Sequence, residues 1–385
     1  MNPSPTMLAI VTDAFGGRGG IAQYNRDFFR ALAESGAVSS ITVLPRQAPD
    51  VSAPPERIGQ TRARRGRIAY AVATLRTALF RPIDLVFCGH LFMVPLAALI
   101  ARLKDAKLII QTHGVEAWPR PSRLQRAAVE SADLVLCVSR YTRAAVLSWA
   151  TIAPERVLVV PNTVREAFTP GDGSTTRAAL AVGNKRVLLT IGRMDARERC
   201  KGQDRIIAAI PYIVAQGHDV EYLVVGEGND RARLEALACD AGVSQRVRFL
   251  GAVGLQSLIE TCRMADLFVM PSTGEGFGIA FLEAMASGTP ALGLDVAGAR
   301  DALVDGQLGT LVSEDELPAA IGRLLVEPKP DPGALAAAVR ARFGRETFKA
   351  CACTALNRLI FELDGARIRV NPVRRRAQSV GSFWS

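Results

Sequence analysis

The sequence LFVMPSTGEGFGIAFLEAMASG, residues 267–288, decides the fold class of this 385-residue chain. It begins with an apolar run, Leu267–Met270, continues through a glycine-rich loop and ends in a segment of helical character. A short apolar run bounded by turn residues is typical of a buried parallel strand. The stretch therefore predicts one strand–loop–helix unit of an α/β protein, with Glu275 in the loop and Glu283 in the helix.

The same alternation of short apolar runs and longer helical segments recurs along the chain. The other predicted strands are Leu8–Val11, Ile41–Leu44, Leu85–Phe87, Leu108–Ile110, Leu134–Val138, Val157–Val160, Val187–Ile191, Tyr222–Val225, Val247–Leu250 and Pro290–Leu294. Helical segments such as 21–34, 68–80, 141–149 and 204–216 lie between them. Strands that alternate with helices favour parallel sheets with crossover helices.

The pattern restarts after a stretch rich in proline, glycine, serine and threonine, Thr169–Ser174. We therefore expect two doubly wound domains, residues 1–165 and 166–365, with a linker near 163–182. Ligands of such sheets bind at the carboxyl ends of the strands, so site residues are expected in the loops that follow strands.

The end of the chain differs in character from the rest. A final helical run, residues 344–363, is expected to close the globular part, and it could cross back to the first domain. Residues 366–385 contain five arginines and no acidic residue, and we expect them to form a flexible basic tail.

Composition is that of an ordinary globular protein. Apolar residues make up 49% and charged residues 22% of the sequence, which excludes disordered and low-complexity classes. The seven cysteines are scattered and form no Cys-x-x-Cys pair, so neither a disulfide framework nor a zinc cluster is expected. The first residues lead directly into an apolar run, and Pro95 interrupts the longest such run, so we expect a cytoplasmic protein without a transmembrane helix.

The net charge of +10 is concentrated in the first half of the chain. Residues 1–165 carry 21 Lys and Arg against 11 Asp and Glu, whereas residues 166–365 carry 21 against 26. A basic half suits an anionic membrane, a phosphorylated substrate or nucleic acid. No helix-turn-helix, zinc-finger or aromatic RNA-binding signature accompanies the charge, so no nucleic-acid partner is expected.

Two basic clusters in this half are the candidate membrane contacts. The first contains Arg62, Arg64, Arg65 and Arg67, and the second contains Arg120, Arg123 and Arg126 with Trp118 just before them. Each basic residue near an anionic surface contributes about 1 kcal/mol, and tryptophan is enriched at membrane interfaces. We expect peripheral association with the inner face of the cell membrane. A basic surface that serves only a diphosphate-linked acceptor is the alternative.

A glycine-rich loop, Gly16–Gly20, follows the first predicted strand and precedes a helix that starts near Ile21. Glycines there let backbone amides approach an anion at a helix N-terminus. The loop lacks the Gly-Lys-Ser/Thr of a Walker A motif. It also lacks the third glycine of a dinucleotide-binding motif, which disfavours an NAD-dependent dehydrogenase. A tight strand–helix turn without a ligand is equally compatible with it.

Cations and carboxylates follow two predicted strands of the second half. Arg193 and Lys201 come after the strand that ends at Ile191, and together they could clamp a diphosphate. Solvated surface charges are the alternative for this pair taken alone. Glu275 and Glu283 could both accept hydrogen bonds from hydroxyls, as sugars and riboses require. A favourable charge near a helix N-terminus explains one glutamate but not both.

Together these motifs resemble those of the retaining family-four glycosyltransferases. The resemblance rests on the two glutamates with seven residues between them, on Gly192-Arg193 with Lys201-Gly202, on Gly19-Gly20-Ile21 and on Thr112-His113-Gly114. The motifs occur in the family's order, and the resemblance covers about residues 7–365. It implies the GT-B fold, in which two Rossmann-like domains face each other across a cleft. It also implies a nucleotide-sugar donor held mainly by the C-terminal domain and an acceptor held mainly by the N-terminal domain.

The resemblance implies roles for residues around the donor nucleotide. Arg193 and Lys201 would neutralise its diphosphate, with the amide of Gly20 assisting. Glu283 would bind the ribose hydroxyls, and Gly251 would border the nucleobase.

It also implies roles around the transferred sugar. Glu275 and the amides of Gly276, Phe277 and Gly278 would hold it, and His113 would lie near it at the reaction centre. A buried histidine with a purely structural role is the alternative for His113. Glu198 and Arg199, just before the lysine, match no role in the family.

The predicted function is transfer of a hexose, with retention, onto a lipid-linked glycan acceptor such as a polyprenyl diphosphate glycan in polysaccharide biosynthesis. The pattern resembles mannosyltransferases of exopolysaccharide pathways, which favours GDP-mannose as donor. A UDP-sugar such as UDP-glucose is the alternative donor.

No metal or other cofactor is expected, because no Asp-x-Asp pair follows a predicted strand, and cations with a helix terminus could stabilise the departing diphosphate. Front-face attack and double displacement both remain open. A nucleotide-sugar epimerase or hydrolase on the same fold is a further alternative. A non-catalytic adaptor is the alternative outside enzymes. It would leave unexplained the four charged residues in or near glycine-rich loops, Arg193, Lys201, Glu275 and Glu283.

Overall fold

The computed structural model describes residues 4–50, 52–197 and 199–367, with side chains up to Leu359. The chain divides into two compact units. The first, unit 1, comprises Met1–Val160 and the chain from Phe348 onward, and the second, unit 2, comprises Pro161–Thr347. The part of the expected basic tail from residue 368 onward, and Glu198, lie outside the described residues.

Unit 1 is built on a parallel sheet whose described strands have the order β3-β2-β1-β4-β5-β6-β7. The strands are β1 (Thr6–Val11), β2 (Ser40–Pro45), β3 (Ile58–Gln60), β4 (Leu85–Cys88), β5 (Lys107–Thr112), β6 (Leu134–Cys137) and β7 (Val157–Val159). The inner strands are almost continuously apolar because helices cover both faces of such a sheet. Those helices are α1 (Gly20–Ser35), α2 (Arg67–Leu79), α3 (Val94–Lys104), α4 (Arg123–Glu130) and α5 (Arg140–Trp149).

Unit 2 repeats this plan with a parallel sheet in the order β10-β9-β8-β11-β12-β13. Its strands are β8 (Arg186–Ile191), β9 (Val220–Val225), β10 (Val247–Gly251), β11 (Leu267–Met270), β12 (Ala291–Leu294) and β13 (Thr310–Val312). Its helices are α6 (Ser174–Ala179), α7 (Gln203–Ala215), α8 (Arg231–Asp240), α9 (Leu255–Met264), α10 (Ile279–Ala286), α11 (Ala299–Ala302), α12 (Leu317–Val326) and α13 (Pro332–Phe343). The last described helix, α14 (Arg345–Arg367), begins in unit 2 and belongs to unit 1 from Phe348 onward.

The strand order in each unit reverses at one point. In unit 1 the reversal lies between β1 and β4, and in unit 2 it lies between β8 and β11. The carboxyl ends of strands at such a switch point form a crevice in which open α/β sheets bind their ligands. The predicted glycine loop follows β1, the cation pair follows β8 and the glutamate loop follows β11, so three of the motifs lie at switch points.

The predicted α/β class with two doubly wound sheets is confirmed, and every predicted strand is present. The edge strands β3 and β13 were not predicted. Their sequences are Ile-Gly-Gln and Thr-Leu-Val, so neither contains the run of three or more apolar residues by which the other strands were recognised.

Candidate functional site

The loops that follow β8 and β11 in unit 2 pack against each other through their backbones. The amide of Thr273 donates to the carbonyl oxygen of Cys200 at 2.9 Å. Gly202 has φ +80°, and a Cβ atom there would lie 2.3 Å from the carbonyl oxygen of Pro271. Because only glycine tolerates both the conformation and this approach, the loop that carries Lys201 is fixed beside the glutamate loop.

This packing brings Lys201 and Glu275 together as an ion pair. The Lys201 Nζ lies 2.5 Å from Glu275 Oε2, and the two side chains are 20% and 14% exposed. Burial lowers the pKa of Lys201, but the charge and hydrogen bond of Glu275 more than offset that effect, so the pKa is raised. Lys201 is therefore protonated at neutral pH, and the pair is a charge-balanced group at the switch point.

Arg193 lies beside this pair on the backbone that leaves β8. The next amide, that of Met194, donates to the carbonyl oxygen of Glu227 at 2.9 Å, which anchors the segment. The Arg193 side chain is exposed, and its positive charge opposes the rise in the pKa of Lys201, so the two cations act on each other. Two neighbouring cations, one of them a planar guanidinium, form a suitable site for a diphosphate.

The glycine-rich loop leads into α10 through Gly278, whose φ is +101°. Among the described residues, the amides of Gly276, Phe277 and Gly278 donate no hydrogen bond to the protein. The Phe277 side chain is buried against Phe343, with ring centroids 5.6 Å apart, and the backbone of Gly276 and Phe277 packs against Gly298. Three consecutive unpaired amides at a helix N-terminus suit anionic or hydroxyl oxygens.

Glu283 forms the second ion pair of unit 2, with a partner that the sequence did not reveal. The Arg165 guanidinium donates to Glu283 Oε1 from Nη2 at 2.6 Å and from Nε at 3.2 Å. Burial raises the pKa of Glu283, and the charge and hydrogen bonds of Arg165 counteract that rise. Arg165 lies 118 positions before its partner, so no local pattern indicates the contact.

Two other residues of unit 2 were singled out from sequence. Gly251 ends β10 with φ +72°, and a Cβ atom there would meet no atom within 4 Å, so open space borders it. The carbonyl oxygen of Gly251 accepts from the amide of Gly226 at 2.9 Å. Arg199, which had no predicted role, pairs with the buried Asp230 at 3.4 Å.

The glycine loop of unit 1 is a tightly held turn between β1 and α1. A Cβ atom at Gly16 would lie 2.0 Å from the carbonyl oxygen of Asp50. The Arg26 guanidinium donates to the carbonyl oxygens of Ala14 and Gly17 at 2.8 Å each. Gly20 is the first residue of α1, and in the described structure its amide donates to no protein acceptor. The loop therefore has the form of an anion-binding helix N-terminus.

His113 follows β5 and is half-buried. Its ring lies edge-on to Tyr24 with centroids 5.3 Å apart. Burial, assisted by the charge of His90 and opposed by a hydrogen bond with the Gly89 backbone, lowers the pKa of His113 to about 3. Its Nε2 atom is buried and has no hydrogen-bond partner in the described structure. His113 is thus a neutral imidazole whose free nitrogen can accept a hydrogen bond from a hydroxyl.

His90 and Arg46 extend this polar group, and neither was named from sequence. His90 follows β4, and its Nδ1 accepts from the amide of Phe92 at 3.4 Å. Burial and then the charge of Arg46 lower the pKa of His90 to about 4. The Arg46 guanidinium lies over the Phe92 ring at 4.9 Å. A histidine in the loop that follows the predicted strand Leu85–Phe87 was a usable signal for His90.

The predicted membrane contacts of unit 1 differ in exposure. The exposed ones are Arg62, Arg64, Arg65, Arg67, Arg120 and Arg123. Arg126 is half-buried and lies 3.5 Å from Glu130. Trp118 is also half-buried, and its indole N–H donates to Thr142 at 3.2 Å. Six of the seven arginines are therefore exposed, whereas Arg126 and Trp118 are each partly buried.

The described part of the chain contains neither a cluster of metal-binding side chains nor a helix that could span a membrane. No group of three or more His, Cys, Asp and Glu residues there could hold a metal ion. None of the described helices combines the length and the apolar character needed to cross a bilayer.

Comparison with known proteins agrees with this geometry. The family model for group 1 glycosyl transferases matches residues 185–340, and the model for glycosyltransferase family 4 matches residues 18–168. Among solved structures, HepE of Anabaena in complex with UDP superposes with a TM-score of 0.72 at 20% identity, over 94% of this chain and 100% of that one. WaaG, a glycosyltransferase involved in lipopolysaccharide biosynthesis, superposes with a TM-score of 0.66 at 21% identity, over 90% and 98%. These likenesses define the fold as GT-B.

Sequence relatives define the family. The chain is 32% identical over 264 residues to the GDP-mannose-dependent alpha-(1-6)-phosphatidylinositol monomannoside mannosyltransferase of Mycolicibacterium smegmatis, which covers 64% of this chain and 68% of that protein. It is also 32% identical over 265 residues to the D-inositol 3-phosphate glycosyltransferase of Geodermatophilus obscurus, over 66% and 54%. The chain belongs to glycosyltransferase family 4 and is a glycosyltransferase.

Proposed function

We propose that this glycosyltransferase transfers a mannosyl residue from GDP-mannose, with retention of configuration, onto a lipid-linked glycan. The observation that carries the proposal is the ion pair of Lys201 and Glu275 at the switch point of unit 2. It lies beside Arg193 and beside the unpaired amides of residues 276–278, just before α10. Cations, a carboxylate and free amides in one place supply what a sugar linked to a diphosphate requires.

The ion pair gives Lys201 and Glu275 separate tasks once a donor binds. A diphosphate offers Lys201 and Arg193 more negative charge than one carboxylate does, so it replaces Glu275 as the partner of Lys201. Glu275 is then left to accept hydrogen bonds from the hydroxyls of the transferred sugar. The amides of Gly276, Phe277 and Gly278, just before α10, supply further donors to oxygens of the sugar and of the diphosphate.

The reaction balances without an added reagent. The bond between the anomeric carbon and the diphosphate oxygen breaks, and the bond from the acceptor oxygen forms on the same face of the sugar. The acceptor hydroxyl gives its proton to the departing phosphate oxygen. Negative charge grows on that oxygen during departure, and Lys201, Arg193 and the α10 amides stabilise it because they are already in position.

The sequence relative from Mycolicibacterium smegmatis supports GDP-mannose and a lipid acceptor, since its name specifies both. HepE of Anabaena was solved with UDP, which keeps a UDP-sugar as the competing donor. A thermal-shift panel separates the two, because a ligand that binds only the folded state raises the melting temperature. GDP and GDP-mannose are expected to stabilise the protein more than UDP and UDP-glucose.

Turnover then tests the reaction itself. Labelled GDP-mannose is expected to yield a mannosylated lipid when the acceptor is a polyprenyl diphosphate glycan, and the anomeric configuration of the product is read by NMR. A phosphatidylinositol mannoside serves as the second acceptor. Release of free mannose at the same rate with and without acceptor would indicate a hydrolase. A parallel reaction uses labelled UDP-glucose as donor. Transfer of label to the lipid from UDP-glucose but not from GDP-mannose would overturn the choice of donor.

A lipid acceptor requires access to a membrane, and we propose that α2 and the arginines around it provide it. Four apolar side chains on one face of α2 and just after it point to solvent: Ile68 is 81% exposed, Val72 48%, Leu79 70% and Phe80 83%. Seven arginines and no acidic residue lie between Glu56 and Asp84. An apolar helix face flanked by basic residues suits an anionic bilayer surface.

Vesicle co-sedimentation tests this surface. The protein is expected to bind vesicles that contain anionic lipid and to be released by salt, because the attraction falls off within a Debye length of about 8–10 Å. Replacement of Arg62, Arg64, Arg65 and Arg67 by Ser is expected to abolish most of the binding. The matched control replaces four exposed arginines of unit 2, Arg197, Arg231, Arg300 and Arg323. Equal binding to neutral and anionic vesicles, or equal loss in both variants, would contradict electrostatic docking.

A further inference from the structure

Glu283 is a buried carboxylate in a helix that offers it no polar partner of its own. Its side chain is 7% exposed, and the other residues of α10 are apolar or alanine. A buried carboxylate is strongly disfavoured unless it is paired and hydrogen-bonded. Its state therefore depends on whatever cation lies against it.

That cation is Arg165, and it contacts only one of the two carboxylate oxygens. Both Nη2, at 2.6 Å, and Nε, at 3.2 Å, donate to Oε1 of Glu283. In the described structure Oε2 accepts no hydrogen bond. A forked contact to one oxygen fixes the plane of the carboxylate and leaves the second oxygen for another donor.

Arg165 is itself held in place by its surroundings. Its guanidinium lies over the ring of the buried Phe168 at 4.8 Å. The carbonyl oxygen of Phe168 accepts a hydrogen bond from Arg340 of α13. The adjacent amide, that of Val164, donates to the carbonyl oxygen of Phe343 at 3.0 Å. The backbone on both sides of Arg165 is thus attached to α13.

We propose that Arg165 is a positioning residue that occupies Oε1 of Glu283 and so presents Oε2 to the ribose hydroxyls of the donor nucleotide. The inference rests on the proposed function, in which Glu283 holds the ribose. It assigns to Arg165 the preference of the enzyme for a ribonucleotide over its deoxyribose counterpart. Arg165 touches no reacting atom and acts through Glu283 alone.

The test compares the affinities of GDP and its dideoxyribose analogue, which lacks both ribose hydroxyls. Calorimetry gives a dissociation constant for each, and the ratio of the two measures recognition of the ribose. Arg165→Gln is expected to lower this ratio about tenfold, the effect of one charge-assisted hydrogen bond. Arg165→Lys retains the charge but not the fork, and it is expected to keep folding and to recover only part of the ratio.

A structural role for Arg165 gives a different result. Loss of packing or of charge balance alone would weaken both ligands equally and leave the ratio unchanged, and that outcome would overturn the inference. The matched control is Arg177→Gln, which removes another arginine paired with a buried carboxylate, Asp266, at 3.1 Å. That variant is expected to leave the ratio unchanged. A ratio fully preserved in Arg165→Lys would also overturn the inference.

Glu283→Gln separates this inference from the function on which it rests. A lowered ratio in Glu283→Gln with an unchanged ratio in Arg165→Gln would overturn the inference and leave the ribose contact standing. An unchanged ratio in Glu283→Gln would overturn the ribose contact itself. Failure of the unaltered enzyme to bind any nucleoside diphosphate would overturn the proposed function.

Discussion

The two units carry polar groups at equivalent positions of equivalent sheets, but they prepare those groups differently. In unit 2 the carboxylates of Glu275 and Glu283 are already paired with Lys201 and Arg165. In unit 1 the central group is His113, which burial keeps neutral and whose Nε2 has no partner in the described structure. The same type of sheet thus carries paired charges in unit 2 and, in unit 1, a neutral histidine whose Nε2 lacks a hydrogen-bond partner among the described residues.

The missing partners of unit 1 cluster around its switch point. Asn25 of α1 donates from Nδ2 to the carbonyl oxygen of Asp13 at 2.8 Å, while its buried Oδ1 has no partner in the described residues. That oxygen lies beside Gly89, which also contacts His113. An unsatisfied buried polar group costs about 1–3 kcal/mol. A ligand rich in hydroxyls recovers this free energy, whereas a diphosphate is better served by the cations of unit 2.

The largest effect expected from this comparison follows the loss of Lys201. Lys201→Ala leaves the half-buried carboxylate of Glu275 without its cation. Breaking a fully buried pair costs about 3–5 kcal/mol, and because this pair keeps some exposure we expect a loss of about 1–3 kcal/mol. Denaturant unfolding is expected to show a loss of this size together with loss of GDP binding. The double variant Lys201→Met with Glu275→Gln is expected to regain most of the stability but not the binding. Equal stability of the single and double variants would show that the pair does not act as a unit.

Substitution of the other partner is expected to affect turnover and not nucleotide affinity. Glu275→Gln removes charge-assisted hydrogen bonds to the sugar, each worth about 1.5–3 kcal/mol, which corresponds to about 10- to 150-fold in kcat/KM. The affinity for GDP is expected to change little, because Lys201 stays available to the diphosphate. Steady-state kinetics and calorimetry provide the two measurements. Turnover equal to that of the unaltered enzyme would remove Glu275 from the site.

Local sequence was sufficient to find the parts of the site that lie on one strand–loop–helix unit. Apolar runs followed by glycine-rich loops located Lys201 and Glu275 at strand ends, and parallel topology explains why such ends come together. The resemblance to a family added their tasks. The ion pair itself was not predicted, since it depends on the backbone contact of two loops that are 74 positions apart.

What the sequence could not supply is the set of partners contributed by distant segments. Arg165 lies in the linker region, where an arginine ordinarily suggests a solvated charge. His90 and Arg46 follow different strands, and their mutual effect appears only once β1, β2 and β4 are adjacent. These contacts are tertiary, and no periodicity or composition of one segment encodes them.

Acid titration gives a smaller effect that distinguishes unit 1. The pKa of His113 is about 3 and that of His90 about 4 in the folded protein, below the ordinary value of 6.5. As the pH falls below 6.5 the unfolded chain binds protons that the folded chain does not, so stability decreases by up to about 1.4 kcal/mol per pH unit for each histidine. His113→Gln is expected to reduce this slope between pH 6.5 and 4.

The chain has three histidines, which makes the titration easy to assign. NMR of the imidazole signals provides a direct measurement, in which His113 stays neutral at pH 5. A signal of His113 that titrates near pH 6.5 would show that the neutral site of unit 1 does not exist as described.

The smallest effect expected is that of a chelator, which should leave turnover unchanged. The proposed reaction stabilises the departing diphosphate with Arg193, Lys201 and the amides at the start of α10, all of which belong to unit 2 and are in place before the donor binds. Excess EDTA removes none of these groups. Magnesium is also not expected to restore turnover in Lys201→Ala, since the diphosphate would still lack the ammonium group held at the switch point. Turnover that EDTA abolishes and magnesium or manganese restores would mean that the ion pairs of unit 2 do not supply the positive charge for the reaction.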